Sequence, residues 1–182
     1  MYIGLDLGTS GLKGVLISAE QGVLAEASAP LSVSRPHESW SEQAPADWIA
    51  VAEAVLDALA ATRSLADVRG IGLSGQMHGA TLLNAADEVL RPCILWNDTR
   101  SAEEAAELDE DPMFRRITGN IVFPGFTAPK LAWVQKHEPR IWEQVAKILL
   151  PKDYLRLWMT GEHVAEMSDA AGTSWLDTGR RD

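Results

Sequence analysis

The sequence predicts an α/β fold in which a mixed sheet is flanked by helices. Three aliphatic runs that are too short for helices open the chain, and only short turns separate them. A segment with helical spacing follows, and then another short aliphatic run. Strands joined by tight turns pair antiparallel, whereas a strand reached through a helical crossover usually pairs parallel. The order therefore predicts an antiparallel three-stranded meander, a covering helix and a parallel fourth strand.

The turn between the first two predicted strands carries the strongest chemical signal. An apolar run ends beside the carboxylate of Asp6, and the turn that follows holds glycines, hydroxyls and one cation: Gly8, Thr9, Ser10, Gly11 and Lys13. Backbone N–H groups, hydroxyls and a positive charge in one small volume suit a phosphate group. Asp6 would repel a phosphate, so we expect it to hold Mg²⁺ against the phosphate oxygens. A hairpin turn without a ligand is the alternative interpretation.

The next elements follow from periodicity and turn residues. A third strand is predicted over 23–30, and a helix is predicted to begin at Pro45, because the fixed φ of proline suits a first turn. This helix is expected to end at about Ala61, and its apolar residues recur at helical spacing: Trp48, Val51, Val55 and Leu59. A buried strand is predicted over 68–74.

A polar loop follows the strand predicted over 68–74. It begins and ends with glycine, and its inner residues are Gln76, Met77 and His78. Ligands of open α/β sheets bind beyond the carboxyl ends of the strands. The side chains of Gln76 and His78 could hydrogen-bond ligand hydroxyls there, although a solvent-exposed turn has the same composition. The position at a strand end favours the ligand contact.

The second half of the chain is predicted to be mostly helical. A strand–turn–strand unit is predicted over 81–95, and Asp98 is expected to cap the helix after it. Further helices are predicted over 99–108, over 151–159 and from residues 112, 127 and 139. A short strand is predicted over 147–150, and a polar loop over 167–175 is predicted to run into a strand.

Composition excludes several classes of protein. The net charge is −10 and no block of basic residues occurs, so nucleic-acid binding is not expected. The one cysteine, Cys93, rules out an internal disulfide, and a small buried hydrophobe on a strand is its simplest role. The chain enters a strand at once, without a signal sequence, and no apolar run approaches membrane length. We therefore expect a cytoplasmic protein that does not bind membranes.

The turn from Asp6 to Lys13 resembles the first phosphate motif of the actin, hexokinase and Hsp70 superfamily, whose ribonuclease H-like domains close over ATP and Mg²⁺. Further segments are similar to the FGGY family of carbohydrate kinases, in particular Gly-Gln-Met-His-Gly at 75–79, Leu-Trp-Asn-Asp-Thr-Arg at 95–100, 117–120 with 124–131, and 150–155 with 168–173. The similarity is collinear along essentially all 182 residues. It implies a ribonuclease H-like fold.

The resemblance also implies an activity, namely phosphoryl transfer from ATP to O5 of D-xylulose with Mg²⁺ as cofactor. The resemblance implies that Asp6 is the catalytic, metal-positioning acid and that Met77 and His78 contact the ketose. It also implies four phosphate contacts, namely Gly8, Thr9, Ser10 and Lys13. The alternatives are a kinase for ribulose, gluconate or glycerol, and a non-catalytic remnant or interaction module. An actin-like or chaperone-like ATPase fits less well, because it has no evident use for the Gly-Gln-Met-His-Gly loop.

The resemblance further implies a longer enzyme. Family members have a second domain, and their catalytic aspartate base and glycine-rich adenosine segment have no counterpart in residues 1–182. We therefore expect residues 1–182 to form an incomplete N-terminal (first) domain that does not catalyse alone, with the second domain absent. Apolar surface exposed on such a part predicts homodimers or other self-association.

Overall fold

The computed structural model describes residues 1–181 and has the expected α/β architecture. In chain order, its strands are β1 (Tyr2–Leu7), β2 (Gly11–Ile17), β3 (Val23–Pro30), β4 (Glu42–Gln43), β5 (Ile71–Gly75), β6 (Thr81–Leu83), β7 (Cys93–Ile94) and β8 (Lys147–Leu149). Its helices are α1 (Pro45–Thr62), α2 (Ala102–Glu110), α3 (Pro112–Thr118), α4 (Thr127–His137), α5 (Pro139–Trp142), α6 (Pro151–Thr160) and α7 (Met167–Ala170), with a 3-10 turn at Ala171–Thr173.

The main sheet has four strands in the order β3-β2-β1-β5. The first three strands pair antiparallel, and β5 pairs parallel with β1 after the crossover through α1. The predicted meander and parallel return are therefore confirmed. Two short antiparallel pairs, β4 with β7 and β6 with β8, lie outside this sheet. In the register of the sheet, Asp6 lies beside Lys13 on β2 and beside Ser74 on β5.

One face of the main sheet is buried and the other carries polar residues. Alternating side chains of β1 and β2 form the core together with one face of α1, and the principal members of this core are Ile3, Leu5, Leu7, Leu12, Leu16, Trp48, Ala52, Val55 and Leu59. Successive side chains of a strand point to opposite faces. Asp6 and Lys13 therefore lie on the face away from α1, and both are exposed.

Gly14 allows α1 to approach the sheet closely. A Cβ atom at Gly14 would lie 2.4 Å from Cγ1 of Val55 and 3.2 Å from Cδ2 of Leu5. We expect Gly14→Ala to lower the free energy of unfolding by about 1–3 kcal/mol in urea denaturation, because an overfilled core forces its neighbours to move. Gly22→Ala is the control, since its nearest contact would be Oγ of Ser18 at 3.4 Å. Equal losses in the two variants would contradict the packing argument.

Strand β5 differs from its prediction in length and in burial. It begins at Ile71 rather than at residue 68, and its residues are exposed or half-buried rather than buried. Ile71 itself is 45% exposed. The physical reason is position, because β5 is an edge strand of this sheet and has only β1 as a neighbour. A pattern of apolar residues predicts a strand but does not tell how many of its sides are covered.

Two further predicted strands are shorter or absent within the described residues. Only Cys93–Ile94 of the second strand predicted within 81–95 forms a strand, and Val89 makes an isolated bridge with Leu83. The loop predicted over 167–175 was wrong, because helix α7 and a 3-10 turn occupy most of that segment, and no strand follows it within residues 174–181. Cys93 is buried, as expected, and burial raises the pKa of its thiol to about 11.

The predicted cap at Asp98 was also wrong. Helix α2 begins at Ala102, with Ser101 in the capping position. The side chain of Asp98 is fully buried and accepts a hydrogen bond from the backbone N–H of Ser41 at 2.6 Å. It also accepts two hydrogen bonds from the guanidinium of Arg100.

Within residues 1–181, no helix combines the length and the hydropathy that crossing a bilayer requires.

Candidate active site

Asp6 and Lys13 line one open groove on the polar face of the main sheet. The groove has a volume of about 810 Å³, and its other polar or glycine residues are Gly4, Gly14, Glu26, Ser28, Gly72 and Ser74. A carboxylate and an ammonium therefore lie opposite each other on adjacent strands, at the end of β1 where the first turn begins. Both signs of charge are present, as a phosphate with its counter-ion needs.

The carboxylate in the groove is of the kind that Mg²⁺ uses beside a phosphate. No group of three or more His, Cys, Asp or Glu side chains that could hold a metal occurs among residues 1–181. Mg²⁺ seldom uses an all-protein cage, since it keeps several waters and takes one or two carboxylates together with the substrate's phosphates. Asp6 supplies one such exposed carboxylate. The residues present are thus compatible with the expected role of Asp6.

The first turn is held internally by hydrogen bonds. The N–H of Gly8 donates to the carbonyl of Gly11 at 3.0 Å, which closes the turn. The hydroxyl of Thr9 donates to Oε1 of Gln76 at 3.0 Å and accepts from Nε1 of Trp96 at 2.9 Å. The single proton of that hydroxyl is thus donated within the protein. Ser10 is exposed.

Two glutamines connect the first turn to the loop after β5. Nε2 of Gln76 donates to Oε1 of Gln43 at 2.9 Å, and Nε2 of Gln43 donates to the carbonyl of Thr9 at 2.7 Å. Nε1 of Trp48 also donates to Oε1 of Gln43, at 3.0 Å. These bonds are buried or partly buried, so they fix the turn and the loop relative to each other. Sequence reasoning missed Gln43, whose partners lie far away along the chain, and it used Trp96 only as part of a family motif.

The loop from Gly75 to Gly79 presents Met77 and His78. Met77 is 44% exposed, whereas the imidazole of His78 is half-buried and packs on the ring of Phe126 at 4.7 Å between centroids. Burial lowers the pKa of His78, and the positive charge of Lys130 lowers it further, while Asp169 opposes the shift. A neutral imidazole offers one donor and one acceptor nitrogen, which suits a sugar hydroxyl.

The structure brings some of the expected site residues together and separates others. Asp6 and Lys13 share the groove, and Thr9 contacts the loop through Gln76. Met77 and His78 are not among the residues that line the groove. The two groups nevertheless meet at one edge, because β1 and β5 are parallel neighbours and the N–H of Gln76 donates to the carbonyl of Leu7 at 2.8 Å.

Besides Phe126, Gly172 also packs closely against the imidazole of His78. A Cβ atom there would lie 2.2 Å from Cε1 of His78 and 2.7 Å from Nδ1. We expect Gly172→Ala to displace the imidazole toward solvent, which raises the pKa of His78 toward its ordinary value of about 6.5. An NMR titration of the ring protons measures this change. Gly70→Ala, whose Cβ would meet Tyr2 at an unstrained 3.6 Å, is the control. An unchanged titration in Gly172→Ala would contradict the contact.

Comparison with known proteins gives a consistent result. Residues 1–182 match the model of the FGGY family of carbohydrate kinases, N-terminal domain. The xylulose kinase of Escherichia coli K12 is 57% identical over 183 residues, which is 100% of this chain and 38% of that protein. The xylulose kinase of Bacillus subtilis is 42% identical over 187 residues, which is 99% of this chain and 37% of that protein.

Solved structures agree with the sequence comparison. The xylulose kinase from Rhodospirillum rubrum superimposes with a TM-score of 0.92 at 34% identity and covers 98% of this chain and 38% of that one. A glycerol kinase from Plasmodium falciparum has a TM-score of 0.90 at 18% identity, over 100% of this chain and 39% of that one, and so shows the fold alone. The chain spans about two fifths of the length of these relatives, and the expected ribonuclease H-like fold is confirmed. The chain belongs to the FGGY family of carbohydrate kinases.

Proposed function

We propose that this chain forms the phosphate-binding and sugar-binding part of a kinase that transfers a phosphoryl group from ATP to O5 of D-xylulose. The observation that carries the proposal is the hydrogen bond between Thr9 and Gln76, which joins the first turn to the loop of the expected ketose contacts. Phosphoryl transfer depends mainly on positioning and on charge stabilisation, so a fixed distance between donor and acceptor sites is what the chemistry needs. The similarity to xylulose kinases supports the choice of sugar.

In this proposal, the first turn and the ends of β1 and β2 bind the phosphates. The carboxylate of Asp6 holds Mg²⁺, and the ammonium of Lys13 opposite it binds a phosphate oxygen. The backbone of Gly8, Thr9 and Ser10 encloses the terminal phosphate. Bound Mg²⁺ would supply charge neutralisation at the phosphate oxygens. The chain's own contribution is to orient these oxygens in an open groove that contains both charge signs.

The loop after β5 binds the ketose in this proposal. The half-buried imidazole of His78 exchanges hydrogen bonds with a sugar hydroxyl, and the exposed thioether of Met77 covers the carbon chain. Because Phe126 and Gly172 hold the imidazole on two sides, the ring is oriented before the sugar arrives. Preorganisation of this kind lowers the entropic cost of binding.

We further propose that residues 1–182 are an incomplete N-terminal domain and that the remainder of a longer enzyme supplies the adenosine site and the general base. The chain spans 38% of the Escherichia coli relative, and a base for the sugar hydroxyl is part of the reaction. Self-association of the chain stays a prediction, supported by exposed apolar side chains such as Ile71, Phe123 and Trp175. The cytoplasmic location and the lack of nucleic-acid or membrane binding also stay predictions.

Gluconate is the second candidate substrate, because a gluconate kinase from Lactobacillus acidophilus superimposes with a TM-score of 0.91 at 25% identity.

A chimaera, in which this chain replaces the matching N-terminal part of the Escherichia coli xylulose kinase, distinguishes the candidate substrates. ADP release is measured with D-xylulose, D-ribulose, D-gluconate and glycerol, and the parent enzyme is the positive control. We expect the highest kcat/KM for D-xylulose. A higher value for another acceptor would overturn the substrate, and no activity with any acceptor would overturn the function.

A further inference from the structure

A buried lysine lies beneath the loop that carries His78. Lys130 belongs to α4, and its side chain is fully buried. Its Nζ donates to the carbonyl of His78 at 2.8 Å and to the carbonyl of Gly125 at 2.7 Å. Lysine is rarely fully buried, because removing its charge from water is costly. A lysine in this position therefore needs a specific reason, and its two partners are both backbone atoms of loops.

His78 has a strained backbone. Its φ angle is +63°, in the left-handed region that a residue with a Cβ atom seldom adopts. The N–H of Gly79 donates to the carbonyl of Met77 at 2.8 Å, which closes a γ-turn around His78. With positive φ this is the rare, strained form of the γ-turn. Such a conformation persists only where the surrounding structure holds it in place.

The first turn of α4 supplies that support. The carbonyl of His78 accepts from Nζ of Lys130 and also from the hydroxyl of Thr127 at 3.2 Å. Lys130 connects the same carbonyl to Gly125, which precedes Phe126, the aromatic partner of the His78 ring. The amine of Lys130 thus contacts both the backbone of His78, which it shares with the hydroxyl of Thr127, and the segment that carries Phe126.

The ionisation of Lys130 is compatible with this contact. Burial lowers the pKa of Lys130 to about 7, while Cys93 and Asp98 act in the opposite direction and Arg100 adds to the lowering. A neutral amine keeps two N–H groups and an ammonium has three. Either form can therefore serve both carbonyls, and the contact does not require the charge.

We propose that Lys130 is a positioning residue for the ketose site, which holds the strained turn at His78 and so presents the imidazole to the sugar. The inference rests on the proposed function, because it assumes that His78 contacts the sugar. It differs from a general role in stability, since loss of the amine should affect sugar binding more than nucleotide binding.

Lys130→Met in the chimaera tests the inference, because methionine keeps an unbranched apolar side chain and removes both donors. We expect the KM for D-xylulose to rise roughly tenfold or more, while the KM for ATP stays within about twofold. Lys136→Met is the matched control. It lies on the same helix, is half-exposed and pairs with Glu104 and Glu107, so both KM values should be unchanged.

A double-mutant cycle shows whether Lys130 acts through His78. In the His78→Ala background, we expect Lys130→Met to add less than about twofold to the KM for D-xylulose, because the imidazole is already missing. The same tenfold rise in both backgrounds would overturn the inference, as would an unchanged KM for D-xylulose in Lys130→Met alone. A wild-type chimaera that does not phosphorylate D-xylulose would instead overturn the proposed function.

Thr127→Val provides a second variant if Lys130→Met fails to fold. Valine has nearly the same shape as threonine but lacks the hydroxyl that donates to His78, and no charge is lost. We expect a rise of roughly fivefold in the KM for D-xylulose with little change in the KM for ATP. Equal changes in both KM values, or no change in either, would count against the positioning role.

Discussion

Asp6→Asn is expected to lower the kcat of the chimaera by on the order of 10²–10³-fold, with a small change in the KM for D-xylulose. Asparagine has the shape of aspartate but no charge, so the backbone at the end of β1 should be unaffected. In the proposed role the charge would hold Mg²⁺, and among residues 1–181 no other carboxylate lies where β1 enters the first turn. Transition-state charge on the phosphoryl oxygens would then lack its counter-ion.

Glu26→Gln is the matched control for the loss at Asp6. Glu26 lines the same groove and is also exposed, but it lies on β3, two strands away from β1. The activity of both variants is measured over a range of Mg²⁺ concentrations. We expect Asp6→Asn to need more Mg²⁺ than the wild type and Glu26→Gln to behave like the wild type. Equal losses in the two variants would indicate a general effect of groove charge and would contradict the role of Asp6.

Most of the order of strands and helices, with the exception of β4 and α7, could be predicted because it depends on local patterns. The alternation in β1 and β2, the proline at the start of α1 and the glycine at the end of α6 each act within a few residues. The exposure of β5 could not be predicted in the same way. Its apolar residues are those of a buried strand, and only the arrangement of the other elements decides what covers them.

The candidate site was predictable in its residue types but not in its contacts. The turn at Asp6 and the loop at His78 each have a local composition that indicates a ligand. The contact of His78 with Lys130, however, joins residues 52 positions apart, and the contact of Thr9 with Gln76 joins residues 67 apart. No spacing in the sequence carries such information. The support for a site is therefore harder to predict than the residues that touch its ligand.

Asp98 and Arg100 show the same limit for the stability of the chain. An aspartate just before a helical pattern is a good cap, yet Asp98 is buried and binds Arg100 and the backbone of Ser41, which is 57 residues away. Arg100 also pairs with Glu42 at 2.8 Å and stacks over the ring of Trp40 at 3.6 Å. One guanidinium thus connects the segment before α1 to the segment before α2.

Arg100→Met should therefore lower the free energy of unfolding by about 3–5 kcal/mol, because it leaves the buried carboxylate of Asp98 without its cationic partner. Urea denaturation followed by tryptophan fluorescence measures the loss. Arg115→Met is the control, since Arg115 also pairs with an aspartate, Asp109, but its side chain is 54% exposed against 1% for Arg100. An exposed pair should be worth less than about 1 kcal/mol. Losses of similar size would mean that burial does not set the energy of the Arg100 contacts.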